Sequence, residues 1–189
     1  GILARVILLD QFSRCIFRGT AKAFRFDALV ASLVVQALET TSEAIMTSNK
    51  KREYADKGKK AATVMQEYAP IQRFFLGVAI QHSEQLDMQQ RGVLLADQLV
   101  DDEASDGKST GGAASTSGAS SSASSPSALR EFFANLKGYP HEHHDVIAQF
   151  GRFPSRNAAM GRADTPAEVQ WLASPDCPAW ARSQQQQQK

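Results

Sequence analysis

Apolar residues fill nearly every position of the first turns, Ile2, Leu3, Val6, Ile7, Leu8 and Leu9. Residues 2–17 therefore predict a helix buried on all sides, the central element of its neighbours. Its second half turns polar, because Asp10, Arg14 and Arg18 recur every fourth position with Gln11 beside them. A charge on a buried helix demands a partner. Gly19 and Thr20 stop this helix and cap the next, residues 21–38, with an apolar stripe of Phe24, Ala28, Leu29, Ala31, Leu33, Val35 and Leu38. The pattern then decays, and residues 42–62 read as a basic loop or insertion around Lys50, Lys51 and Arg52.

Residues 61–68 return to helical spacing up to Pro70, and 71–99 form one or two helices through Phe74, Leu76, Ile80, Leu95 and Leu99. Residues 101–127 are acidic and then almost wholly Ser, Ala, Gly and Thr, which predicts a disordered insertion. Leu129, Phe132, Phe133 and Leu136 restart a helix, and Val146, Ile147 and Phe150 mark another. Thr165-Pro166-Ala167-Glu168 is a capping box that opens a short last helix. Residues 175–189 read as a flexible tail. The sum is an all-α fold, one domain over residues 1–174 interrupted by two insertions.

Composition narrows the function classes. Lys and Arg number 21 against 20 Asp and Glu, a net charge of +1, so no global field argues for nucleic acid. Apolar runs such as Val6 to Leu9 are far below the roughly 20 residues of a spanning helix, which argues against a membrane partner. Cys15 and Cys177 lack metal or disulfide spacing and suit a reduced, cytoplasmic setting. The chain opens without Met inside an apolar run and closes on Gln184 to Gln188 and Lys189, which reads as a piece of a longer protein whose preceding segment supplies part of the core.

The chemistry concentrates in three places. Phe150 to Asn157, continuing through Gly161 and Arg162, sets Arg152, Arg156 and Asn157 on a backbone bent by Gly151 and Pro154; planar guanidinium forks suit carboxylates and phosphates. Asp10, Arg14 and Arg18 form the second place. The third is His82-Ser83-Glu84, where spacing of two puts His82 and Glu84 on opposite sides of a regular helix, so they share a task only if the helix breaks at Ser83. His141, His144 and Asp145 share a helix face, yet Pro140 sets them in a first turn where solvated histidines are ordinary, and no metal site is assigned. The cofactor, if any, stays unknown.

Leu9-Asp10-Gln11-Phe12-Ser13-Arg14 with Phe17-Arg18-Gly19-Thr20, His82-Ser83-Glu84 with Gln89, and His143 with Phe150-Gly151-Arg152-Phe153-Pro154 and Arg156-Asn157 together resemble a family known mainly from bacteria, domain of unknown function 924. The resemblance implies a tetratricopeptide-like array of antiparallel helices, normally preceded by a tryptophan-rich segment. The chain departs from the pattern at Ser155, where a histidine is usual, at Ala163-Asp164 in place of Glu-Ser, and at Ala79 in place of Pro. The family supplies no reaction.

Two functions of different class fit these residues. One is a binding or interaction module with a protein partner. The other is an enzyme or receptor for a small anionic ligand, with Asp10, Arg14, Arg18, Arg152, Arg156 and Asn157 as the binding set and His82, Glu84 and His143 as catalytic candidates. Counting Asp10 and Glu84 against Arg14, Arg18, Arg152 and Arg156 leaves a positive surplus that would attract an anion.

Overall fold

Every regular element is helical in the computed structural model, which describes residues 1–48, 68–106 and 126–186. Helix α1 starts as Ile2–Val6, passes through a π-helical segment Ile7–Phe12 and closes as Ser13–Ile16. A 3-10 turn, Ala21–Phe24, leads into α2 (Asp27–Ser48). The remaining helices are α3 (Pro70–Gln81), α4 (Leu86–Asp106), α5 (Pro126–Leu136), α6 (Gly138–Phe150), α7 (Pro166–Ala173) and α8 (Ala179–Gln186), with a 3-10 turn Pro154–Arg156 before α7.

Local chemistry explains the boundaries. Pro70 takes the first position of α3, where its missing N–H costs nothing, and the Gln72 side chain accepts the Ala69 amide at 3.0 Å. Residues 82–85 break the helical run and fold α4 back against α3. Gly151 ends α6 at φ 68, a left-handed position that any side chain would strain. The Thr165 box forms as its sequence predicts: Thr165 Oγ1 accepts the Glu168 amide at 3.3 Å and Glu168 Oε2 accepts the Thr165 amide at 2.6 Å.

Two apolar clusters hold the elements. Val6, Val30, Val34, Leu76, Ala79, Ile80 and Leu95 join α1, α2, α3 and α4. Val146, Ile147 and Phe153 gather Phe150, Trp171 and Trp180, joining α6, α7 and α8. Each fully buried aliphatic side chain of this size contributes roughly 1.5–3 kcal/mol.

Four expectations change. Helix α1 is not buried all round: Val6, Asp10 and Ser13 face inward, whereas Leu8, Phe12 and Ile16 are 57%, 52% and 68% exposed among the described residues. Apolar composition does not compel burial. Thr20 stands at the N-cap position of the 3-10 turn but makes no side-chain cap bond, its hydroxyl donating instead to the Phe17 carbonyl at 2.8 Å, and α2 begins only at Asp27. The buried stripe of α2 is Asp27, Val30, Ala31 and Val34, in line with Ala23 of the preceding turn; it shares Ala31 with the expected stripe but leaves Leu29 exposed. Lastly, α2 runs on to Ser48 and α4 to Asp106, past the points where apolar spacing ends. The expected helix over 61–68, the basic loop beyond Ser48 and the Ser/Ala/Gly segment beyond Asp106 lie outside the described residues, save Tyr68 and the start of α5.

Within the segment read as a tail, the part around Cys177 to Ala181 packs on the domain: Cys177 and Ala181 are buried and Trp180 stacks on His143 with ring centroids 4.1 Å apart.

Candidate functional site

His82 caps the end of α3, outside the helix, and Ser83 is followed by a corner in which Ser83 Oγ accepts the Gln85 amide at 3.2 Å. Buried Gln89 fixes this corner by donating to the carbonyls of Gln81 and Ser83 at 2.7 and 2.5 Å. His82 Nδ1 lies 2.7 Å from Asp10 Oδ1 on α1. The same carboxylate accepts Arg14 Nε at 3.2 Å and Gln11 Nε2 at 2.6 Å. Arg14 also donates to Asp27 Oδ1 at 2.8 Å, and Asp27 Oδ2 accepts Arg156 Nη1 at 2.9 Å. Arg156 closes the circuit onto the His82 carbonyl at 3.0 Å and lies between the Phe24 and Phe153 rings.

The three sequence blocks thus meet, with members left in different places. Glu84 receives both ends of the Arg162 guanidinium at 2.7 and 2.9 Å and the Phe153 amide at 2.9 Å. Arg152 faces away, its fork on Glu168 at 2.6 and 2.7 Å and on the Ala163 carbonyl at 3.0 Å. Asn157 donates to Asp164 at 2.7 Å. Arg18 is exposed on the far end of α1. The expected positive surplus does not arise here: Asp10, Asp27 and Glu84 balance Arg14, Arg156 and Arg162 one for one, and Arg152 has its own carboxylate in Glu168.

Asp27 is the member that sequence reading missed. Its signal was present, a carboxylate at the spacing of Ala23, Val30, Ala31 and Val34 on an otherwise apolar stripe.

The balance shapes the titrations. Burial alone would raise the Asp10 carboxyl, but His82, the Arg14 charge and the Gln11 bond hold it below the usual carboxylate range. Burial and the Arg14 charge push the His82 imidazole down, with Asp10 and Asp27 opposing. His143 is pushed down to about 3 by burial, although Nδ1 donates to the Tyr139 carbonyl at 2.7 Å. Burial lowers Arg156 to about 10, so it remains a cation at neutral pH. At neutral pH both imidazoles are uncharged.

Beside this network lies a cavity of about 270 Å³ between α3, α4, α5, α6 and α8. His82 and His143 both line it, ring centroids 6.5 Å apart. Its walls are apolar, including Phe74, Leu95, Leu99 and Phe133. Gly77 also lines it, at a point where an added Cβ would meet nothing within 4 Å. The charged lining residues among those described are Arg73 and Lys137, both cations, with Lys137 Nζ paired to Asp97 Oδ1 at 3.3 Å. No three His, Cys, Asp or Glu among the described residues are grouped to hold a metal ion; His141 reaches Asp97 at 3.4 Å and His144 reaches Asp145 at 3.1 Å. No helix among them is long and apolar enough to cross a membrane.

Residues 1–176 match the family described as bacterial protein of unknown function, DUF924. The chain belongs to the DUF924 family. A solved structure of a protein of unknown function from Agrobacterium tumefaciens is similar to this DUF924 chain at 26% identity and a TM-score of 0.57, covering 91% of this chain and 66% of that one. The DUF924 chain thus spans just under two thirds of that protein's length. No curated protein matches it. The blocks around Asp10, His82 and Arg156, quoted above for the resemblance, are those that converge on the buried network.

Proposed function

We propose that this protein is a receptor for a small, largely apolar molecule bearing one anionic or acceptor group. The observation that carries this reading is the cavity: apolar walls, two cationic side chains, no carboxylate among its described lining residues, and two uncharged histidines on its polar side. A volume of about 270 Å³ limits the ligand to a small molecule. Arg14 and Arg156, expected to clamp an anion, serve instead as the frame that fixes His82, because their forks already hold carboxylates. A glycine inside a helix costs roughly 0.5–1 kcal/mol relative to alanine, and Gly77 is spent where it deepens the cavity.

The test is binding of 8-anilinonaphthalene-1-sulfonate, an apolar body with one anionic group, to the full chain and to Gly77→Leu. Saturable, blue-shifted fluorescence that Gly77→Leu abolishes supports the cavity. Equal binding by both proteins would place the dye elsewhere and remove the reading. The wider expectation, a tetratricopeptide-like module with a protein partner, draws support from the exposed Leu8, Phe12 and Ile16 stripe of α1. Dye binding lost on Leu8→Ser or Phe12→Ser but kept in Gly77→Leu would favour that alternative.

A further inference from the structure

His82 meets the cavity with one nitrogen already committed. A carboxylate only accepts, so Asp10 fixes the proton on Nδ1 and leaves the lone pair on Nε2. The carboxylate is itself held by Gln11 and Arg14, and the His82 backbone by Arg156. Ring tautomer and ring position are both preset, an arrangement that a merely structural histidine does not need. His143 repeats it, Nδ1 on the Tyr139 carbonyl and ring stacked on Trp180.

Resting on the receptor reading above, we infer that His82 is a general base toward water in the cavity, and that the ligand class extends to esters of small apolar carboxylic acids. His82 Nε2 takes a proton from water as the water oxygen bonds to the ester carbon and the carbonyl π pair moves onto its oxygen. Collapse of that intermediate re-forms the carbonyl and breaks the bond to the alkoxy oxygen, which leaves with the proton returned from His82; a phenolate leaves unprotonated, and His82 then releases the proton to solvent. Ester and water become acid and alcohol, and no further reactant enters. The carboxylate product suits a cavity with no carboxylate among its described lining residues. Asp10 is a positioning residue.

The groups facing His82 are Asp10 and Arg14 from α1, Asp27 from α2, Arg156 on its carbonyl and His143 from α6, with Arg73 and Lys137 lining the same cavity. Their combined effect keeps His82 in its base form below the ordinary imidazole midpoint of 6.5. The rate must therefore rise with pH through a midpoint below 6.5 and then level off.

The experiment uses 4-nitrophenyl butyrate with the full chain, read as nitrophenolate release above the buffer rate. Saturable turnover with a midpoint below the ordinary imidazole value is expected, and a loss of roughly a hundredfold in His82→Gln. Asp10→Asn should lower the rate and move the midpoint further down, whereas half-buried His144→Gln, outside the cavity lining, should leave both unchanged. The wild-type pH profile needs no variant to fold: a midpoint at the ordinary imidazole value, or no saturable turnover, overturns the inference. So does a His82→Gln protein that still binds the naphthalene dye and turns over like the wild type, an outcome that leaves the receptor reading standing. Loss of dye binding from the wild type itself is the separate failure of that reading.

Discussion

Asp27 accepts a hydrogen bond from Arg156 at 2.9 Å across 129 positions of chain, and the two are 7% and 3% exposed. The contact ties the start of α2 to the turn before α7. Asp27→Asn leaves Arg14 and Arg156 with one carboxylate fewer in a buried setting, where removing one partner of a pair costs about 3–5 kcal/mol. Urea unfolding measures it. A loss under about 0.5 kcal/mol, the range of surface substitutions, would show that the network is not a buried unit.

Stability should fall on mild acidification. His143 has a folded midpoint of about 3 against an ordinary 6.5, so below 6.5 the unfolded chain binds a proton that the folded chain refuses. The contribution is fully present above 6.5 and declines toward 3, by up to about 1.4 kcal/mol per pH unit. His82 is shifted in the same direction. Glu168, held down to about 2 by Arg152, adds loss only below its ordinary 4.5. The urea midpoint should drop between pH 7 and pH 5, and His143→Gln should flatten that drop; identical slopes would refute the assignment.

Gly151→Ala tests the turn that aims the arginine stretch. An added Cβ there meets nothing within 4 Å, so the cost is conformational alone, about 1–2 kcal/mol for a left-handed residue. Thermal unfolding that shifts upward instead would mean the backbone relaxes without strain.

Trp180→Ala removes the ring stacked on His143 at 4.1 Å, edge-on to Phe153 at 5.7 Å. A loss on the order of 2 kcal/mol should follow, with a weakened naphthalene-dye signal because Trp180 lines the cavity. Unchanged stability would return α8 to the role of a loose tail.

What sequence shows of this site depends on how far apart the cooperating atoms lie along the chain. The Asp10 to Arg14 spacing is legible because four residues make neighbours on one helix. The helix break at Ser83 is legible because His82 and Glu84 cannot otherwise share a region. The capping box at Thr165 is local chemistry, although the second role of Glu168, as the partner of Arg152, is not. Asp27 stayed hidden because the stripe of α2 was phased on its large residues, while the side facing α1 and α3 is built from Ala and Val. Trp180 is a lone aromatic among Ala, Ser and Gln, without a repeat to mark it. The cavity has no sequence signature at all, being the space that five helices leave unfilled.

The π-helical segment Ile7–Phe12 in the middle of α1 holds Asp10. A wide turn of this kind accommodates one residue more than the regular helix on either side. Since each α-helical residue advances the screw by about 100°, straightening this segment into a regular helix with no residue removed would swing Ser13 and Arg14 about that far around the axis relative to Val6. The core contact of Val6 and the reach of Arg14 to Asp27 could not then both be kept. Helix α1 behaves like a shaft with a timing offset cut into it: its outer side chains are exchangeable, but the wide turn that absorbs its extra residue is not.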